Sequence, residues 1–213
     1  MELQTTTRKT RRVVLYGAAG TRKTTTAAQF PKPLLVQDSV ARGAEFLKCP
    51  KATLTSADEL GDAMKLMREG KFQTLVLDDF AAALRRFVDG MPESKEPRRN
   101  FALVNAKVVP VLRQILCGPW NVVITAHHEV DQEVMPVQPW TRTLVHTSFA
   151  PAVEMLILGL VDVVGYCYNN GTPSALVSES ASALRRIVAK HRVGLDMPDV
   201  VALADFAKVV AGG

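Results

Sequence analysis

Cysteine is scarce in this sequence, and the three that occur form no pattern. Cys49, Cys117 and Cys167 are odd in number, far apart, and match no zinc-ligand spacing. This argues against a disulfide framework or a structural zinc site and for buried thiols in a reducing compartment. Long apolar runs are also missing. The most apolar later segment, Val153 to Val164, is broken by Glu154 and Asp162, which makes it too short and too charged to cross a bilayer. Met1 to Arg12 is polar and basic with no apolar stretch behind it, so no secretory signal is expected and the chain reads as cytoplasmic, without a membrane partner. Neither an internal repeat nor a low-complexity segment is visible.

What is present suits one domain. The 213 residues are 47% apolar and 22% charged, a balance that favours a globular domain over disorder. Lys and Arg outnumber Asp and Glu by 26 to 21, which permits an anionic partner such as nucleic acid without establishing one. Residues 1–11 read as a flexible basic arm, with Arg8, Lys9, Arg11 and Arg12 clustered at its end, and residues 12–213 as a single domain.

Apolar strands are predicted at Arg12 to Tyr16, Pro33 to Gln37, Phe72 to Leu77 and Trp120 to Thr125. Helices are predicted at Lys23 to Phe30, Leu60 to Gly70, Phe80 to Val88, Phe101 to Leu116 and Val153 to Leu160. Ser56-Ala57-Asp58-Glu59 has the form of a capping box before the second of these. In the fourth, Phe101, Val104, Val108, Leu112 and Ile115 share one face, and Pro110 should kink or split it. Residues 89–100 read as a polar loop and 126–150 as irregular. Strands at Val161 to Tyr168, Ala175 to Ser178 and Leu184 to Ala189 then precede a last helix from Pro198 to Val210. This alternation predicts an α/β fold: a mainly parallel sheet flanked by helices, with an antiparallel C-terminal edge.

The run Gly17-Ala18-Ala19-Gly20-Thr21-Arg22-Lys23-Thr24 follows the phosphate-loop pattern of two glycines, a lysine and a hydroxyl between a strand and a helix. Gly17 permits a sharp exit from the strand, and backbone N–H groups from Ala18 to Thr24, continuing to Thr25, can wrap an anion. Lys23 can reach the β- and γ-phosphates, and the Thr24 hydroxyl can ligate Mg²⁺. ATP and Mg²⁺ are therefore the expected ligands. Arg22 replaces the usual glycine before the lysine; a left-handed backbone there would cost roughly 1–2 kcal/mol. A phosphate contact by Arg22 would offset that cost, and without one the loop would be weakened. Thr74-Leu75-Val76-Leu77-Asp78 is an apolar strand ending in a carboxylate suited to the Mg²⁺ shell. Asp79 reads as a helix cap or as a second carboxylate that positions water.

These motifs, with Leu75 to Leu84, the strand Val122 to His127 and the stretch Ile187 to Gly194, occur in an order that resembles the phage-type RecA-like ATPases of the AAA-24 group, which includes RecA-like single-strand annealing proteins. The resemblance covers residue 12 to about residue 208 and implies several roles. His127 or His128 would sense the γ-phosphate. Lys190 and Arg192 would reach a neighbouring subunit's nucleotide as an arginine finger does. Residues 89–100, with Lys95, Arg98 and Arg99, and 126–148, with Trp140, Arg142 and His146, would face single-stranded DNA. The implied partners are single-stranded DNA, further copies of the chain and a single-strand DNA-binding protein. One departure is that the second strand ends at Asp38 without the usual glutamate; with Arg22 this counts against efficient hydrolysis, although the shorter Asp38 could act through a shifted water. The expected function is an oligomeric ATPase in phage recombination or replication. The alternatives are a nucleotide-gated DNA-binding module with little turnover and, third, a small-molecule P-loop kinase.

Overall fold

A computed structural model describes residues 10–38, 43–92, 97–134, 141–181, 185–192 and 195–212. The first half of the chain alternates strand and helix. β1 (Arg12–Gly17), α1 (Lys23–Ala27), β2 (Pro33–Asp38), β3 (Lys51–Leu54), α2 (Leu60–Arg68), β4 (Thr74–Asp78), α3 (Phe80–Asp89), α4 (Pro97–Cys117) and β5 (Asn121–Ala126) follow in order. Then come β6 (His128–Val134), β7 (Thr141–Thr147), α5 (Pro151–Leu160), β8 (Val163–Asn170) and β9 (Thr172–Leu176). β10 (Ser180–Ala181), β11 (Arg185–Ile187), β12 (Lys190–His191), β13 (Val200–Ala202) and α6 (Phe206–Gly212) complete it.

The main sheet has the order β13-β9-β8-β1-β5-β4-β2-β3. Every neighbouring pair from β3 to β8 is parallel, whereas β9 pairs antiparallel with β8 and with β13. The expected α/β architecture is therefore present, with its antiparallel edge at the C-terminal side. Its central strands are apolar throughout because both faces are covered. Val14, Tyr16, Leu75, Leu77, Val122 and Ile124 belong to a core shared with α2 to α5. The alternate residues Val13, Leu15, Val76 and Val123 belong to a second core with Ala27, Phe30, Phe206 and Val210. This two-residue alternation divides each strand between the two layers.

Several elements differ from expectation. The described residues between 126 and 150 are not irregular: β6 and β7 pair antiparallel from His128 opposite Thr147 to Val134 opposite Thr141. With β10 and β11 they form a second, four-stranded sheet. The predicted last helix begins late, since Val200–Ala202 instead joins the sheet edge against β9. α4 starts at Pro97 and runs through Pro110 to Cys117. Val104, Val108, Leu112 and Ile115 are buried as predicted, but Phe101 is exposed. The capping box sits one residue early: Glu59 accepts from the Thr55 N–H and hydroxyl, and Ser56 makes no side-chain cap.

Arg12 is not surface charge. It is fully buried, and its guanidinium donates to the carbonyls of Leu116 at 2.6 Å and Gly118 at 2.5 Å. These are carbonyls at the end of α4 that no helical N–H can reach. Arg11 likewise donates to the Val210 carbonyl of α6 at 3.0 Å. The two arginines thus pin helix ends in the two different layers.

Candidate functional site

The loop between β1 and α1 carries two glycines with positive φ. Gly17 lies at φ 153°, beside Cys167 of β8, its register partner in the parallel pair. A Cβ on Gly17 would stand 2.2 Å from the Cys167 carbonyl oxygen, so any side chain would force β1 and β8 apart. Gly20 takes φ 77°. Arg22 also adopts the left-handed region, φ 63° and ψ 21°, which only glycine occupies without penalty. The conditional cost of roughly 1–2 kcal/mol therefore applies. Its side chain is exposed and lines the cavity; it makes no hydrogen bond or ion pair with a described residue.

Lys23 is buried and curls back over the loop. Its ammonium donates to the carbonyls of Ala18 at 2.7 Å and Gly17 at 3.0 Å. Burial lowers the ammonium's pKa, against the opposing pull of Asp79 and Asp78. Thr21 closes the turn by donating to the Ala18 carbonyl at 2.8 Å. α1 has only five residues, so the loop's own N–H groups and Lys23 matter more here than a helix macrodipole.

Asp78, at the end of β4, meets this loop. Its Oδ1 accepts from the Thr24 hydroxyl at 2.7 Å and from the Thr125 hydroxyl at 2.7 Å. Thr125 also accepts the Asp79 N–H at 2.8 Å. Thr125 was not anticipated as a site residue; the available signal was a hydroxyl near the end of an otherwise apolar strand. Asp79 occupies the N-cap position of α3 at φ 47°, yet its side chain makes no cap hydrogen bond. The cap reading is therefore corrected, because the carboxylate turns to the cavity, with Oδ2 3.4 Å from His127 Nε2. Asp79 Oδ1 is buried without a hydrogen-bond partner among the described residues. Burial raises the Asp79 pKa, and nearby Asp78 and Asp38 add to the rise, while His127 and Lys23 oppose it.

Residues 19–25, Gly43, Phe46, Asp78, Asp79, Thr125 and His127 line a cavity of about 410 Å³. His127 faces it; His128 turns away and lies edge-on to Tyr166 at 6.2 Å. Asp38 is not among the lining residues. It is buried at the end of β2 and paired with Arg86 of α3. The residues fit a divalent cation of the magnesium kind. The hydroxyl–carboxylate pair Thr24–Asp78 supplies hard oxygen donors, and no cluster of three His, Cys, Asp or Glu stands among the described residues. Such an ion takes its other ligands from phosphate and water.

The basic stretch lies elsewhere. β12 pairs with Val163 and Val164 of β8, whose partners in β1 begin at Val13. That is the opposite end of β1 from the loop, roughly 13 Å along the strand at about 3.3 Å per residue. Lys190 donates to the Leu158 carbonyl, and Arg192 pairs with Asp162 at 3.1 Å. Burial lowers the Lys190 pKa, and the neighbouring Arg192 lowers it further. The charge around these residues is less concentrated than their sequence suggests: Arg186 pairs with Glu179 at 2.5 Å and Glu133 at 2.9 Å. Arg185 lies over the Tyr166 ring at 5.9 Å.

Of the residues expected to face DNA, Arg98 and Arg99 are exposed in the first turn of α4, not in a loop. Arg142 lies in β7 opposite Glu133, and Lys95 and Trp140 lie outside the described residues. No helix among the described residues is long and apolar enough to cross a membrane. With this geometry in place, the AAA domain family is found to match residues 9–193. A comparison with curated proteins finds no match.

Proposed function

The chain belongs to the AAA domain family, and from that premise we propose that it binds ATP with Mg²⁺ at the β1–α1 loop and works as an oligomeric ATPase on single-stranded DNA. The family makes it a nucleotide-binding protein of the ATPase type. The observation that supports the ATP and Mg²⁺ part of the reading is the meeting of Thr24 and Asp78 at 2.7 Å beside a buried Lys23. Two segments distant in sequence, the start of α1 and the end of β4, thereby bring a cation, a hydroxyl and a carboxylate to one cavity.

In this reading the N–H groups from Ala18 to Thr25 hold the phosphates. Lys23 exchanges its loop carbonyls for the β- and γ-phosphate oxygens, which offer a stronger, charge-assisted bond. Mg²⁺, held by Thr24 and Asp78, would neutralise charge on the phosphates. Asp79, paired with His127, orients the attacking water; its position at the cavity favours it over Asp38, whose carboxylate is committed to Arg86. Arg22 contacts phosphate, consistent with an exposed guanidinium at the cavity. Lys190 and Arg192, too far along the sheet for their own subunit's phosphates, serve a neighbour's site, and the exposed Arg98 and Arg99 contribute to DNA binding. The role in phage recombination or replication, and a single-strand DNA-binding protein as partner, rest on the family resemblance in the sequence.

Steady-state phosphate release, measured with and without single-stranded DNA, tests this. DNA-stimulated turnover is expected. ATP binding with no turnover in either condition favours the nucleotide-gated binding module, a reading supported by the strained Arg22 and the engaged Asp38.

A further inference from the structure

Downstream of β2, residues 43–47 form a turn in which the Leu47 N–H donates to the Ala44 carbonyl at 3.0 Å. Ala44 is fully buried and Leu47 packs against the same core as Ala27 and Phe30. Phe46, between them, is turned the other way. It is 69% exposed, belongs to neither core, and lines the cavity beside the phosphate loop. The turn is therefore anchored by two apolar side chains, while the largest one is held out of the core.

Phe46 is the one large apolar side chain among the described residues lining that cavity; the others are small, hydroxylic, charged or imidazole. A cavity that holds phosphates by backbone N–H groups, Lys23 and Thr24 still has to hold the base. A planar heterocycle presents a π-face that an exposed phenyl ring can cover, and stacking of this kind needs no hydrogen bond.

We propose that Phe46 is the base platform of the site: it stacks on the nucleobase of a nucleoside triphosphate and favours the larger purine face over a pyrimidine. This rests on the nucleotide reading above. A stacking contact alone discriminates by ring area, so ATP and GTP bind alike and CTP binds less tightly.

The test is calorimetric titration of the full chain with ATP, CTP and inorganic tripolyphosphate, each with Mg²⁺. Wild type is expected to bind ATP more tightly than CTP. Phe46→Ala should weaken ATP about tenfold, erase the preference over CTP, and leave tripolyphosphate within about twofold, because tripolyphosphate has no base to lose. Phe46→Leu keeps apolar bulk without a π-face and should behave like Phe46→Ala; Phe46→Trp should restore ATP binding. Since the ring is exposed, all three variants should melt near wild type. Equal weakening of ATP and tripolyphosphate, or unchanged ATP affinity in Phe46→Ala, would overturn the proposal. Should wild type bind neither ATP nor tripolyphosphate, the nucleotide reading itself fails and the base platform fails with it.

Discussion

At the carboxyl ends of β1 and β4, charged and hydroxylic side chains converge on one cavity; at the amino end of β8, basic side chains are spread over separate partners within the chain. Lys23, Thr24, Asp78 and Asp79 meet across a gap of more than fifty residues, and Asp79 keeps a buried oxygen without a partner among the described residues. Lys190 and Arg192 instead bind the Leu158 carbonyl, Asp162 and the Leu160 carbonyl at the end of α5. The first arrangement carries unmet bonding capacity and strain, the marks of a ligand site. The second already has partners, so any role toward a neighbour's nucleotide requires Arg192 to exchange Asp162 for phosphate.

Apart from the loss of Lys23, the largest expected effect breaks this contrast on the second side. Arg192→Ala should lower turnover at least about tenfold, the scale of a transition-state cation, while ATP binding to the isolated chain changes little. Mixed with Lys23→Ala, which has the intact finger and a broken loop, it should regain part of the activity. If the two chains co-assemble and the mixture is no more active than either alone, the basic pair does not act between subunits.

A smaller effect is expected at Arg22. Arg22→Gly relieves the left-handed backbone, roughly 1–2 kcal/mol, and should raise the melting midpoint by about 2–8 °C. Losing the guanidinium should weaken ATP binding a few-fold, read by the same titration. Tighter binding would mean that the arginine only strains the loop.

The smallest effect concerns Asp79. Its pKa is raised, chiefly by burial, so the ionised form penalises the fold. The penalty is complete above the raised folded value. It fades as pH falls through that value and is gone below the unfolded one, about 3.9, where both states hold the proton. Asp79→Asn should raise the apo melting midpoint at pH 7 by on the order of 2 °C, and by less at pH 4. A gain that is the same at both pH values would show that ionisation is not the cause.

The sheet centre was legible in the sequence because β1, β4 and β5 are buried on both faces and read as unbroken apolar runs. The phosphate loop was legible through its glycine and lysine spacing, and α2 through Leu60, Ala63, Met64 and Met67, all buried. The β6–β7 hairpin was not, because His128–Val134 carries mostly polar residues whose side chains are largely exposed. Val200–Ala202 was misread as helix, since a short apolar run has no period of its own and only pairing with β9 decides it. Arg12 looked like part of a surface cluster; its burial depends on carbonyls more than a hundred positions away. Thr125 was signalled only by a hydroxyl near the end of an apolar strand, and Phe46 enters the cavity through tertiary placement that no local pattern announces.

The central claim is that the β1–α1 loop is the ATP site, and equilibrium ATP binding to Lys23→Ala tests it most directly. The substitution removes the ammonium that meets the β- and γ-phosphates and leaves the loop carbonyls to water. The account predicts at least about a hundredfold loss of ATP affinity, the scale expected for deleting a buried charge-assisted contact, in a chain that still melts cooperatively. Wild-type affinity in a folded Lys23→Ala protein would contradict it.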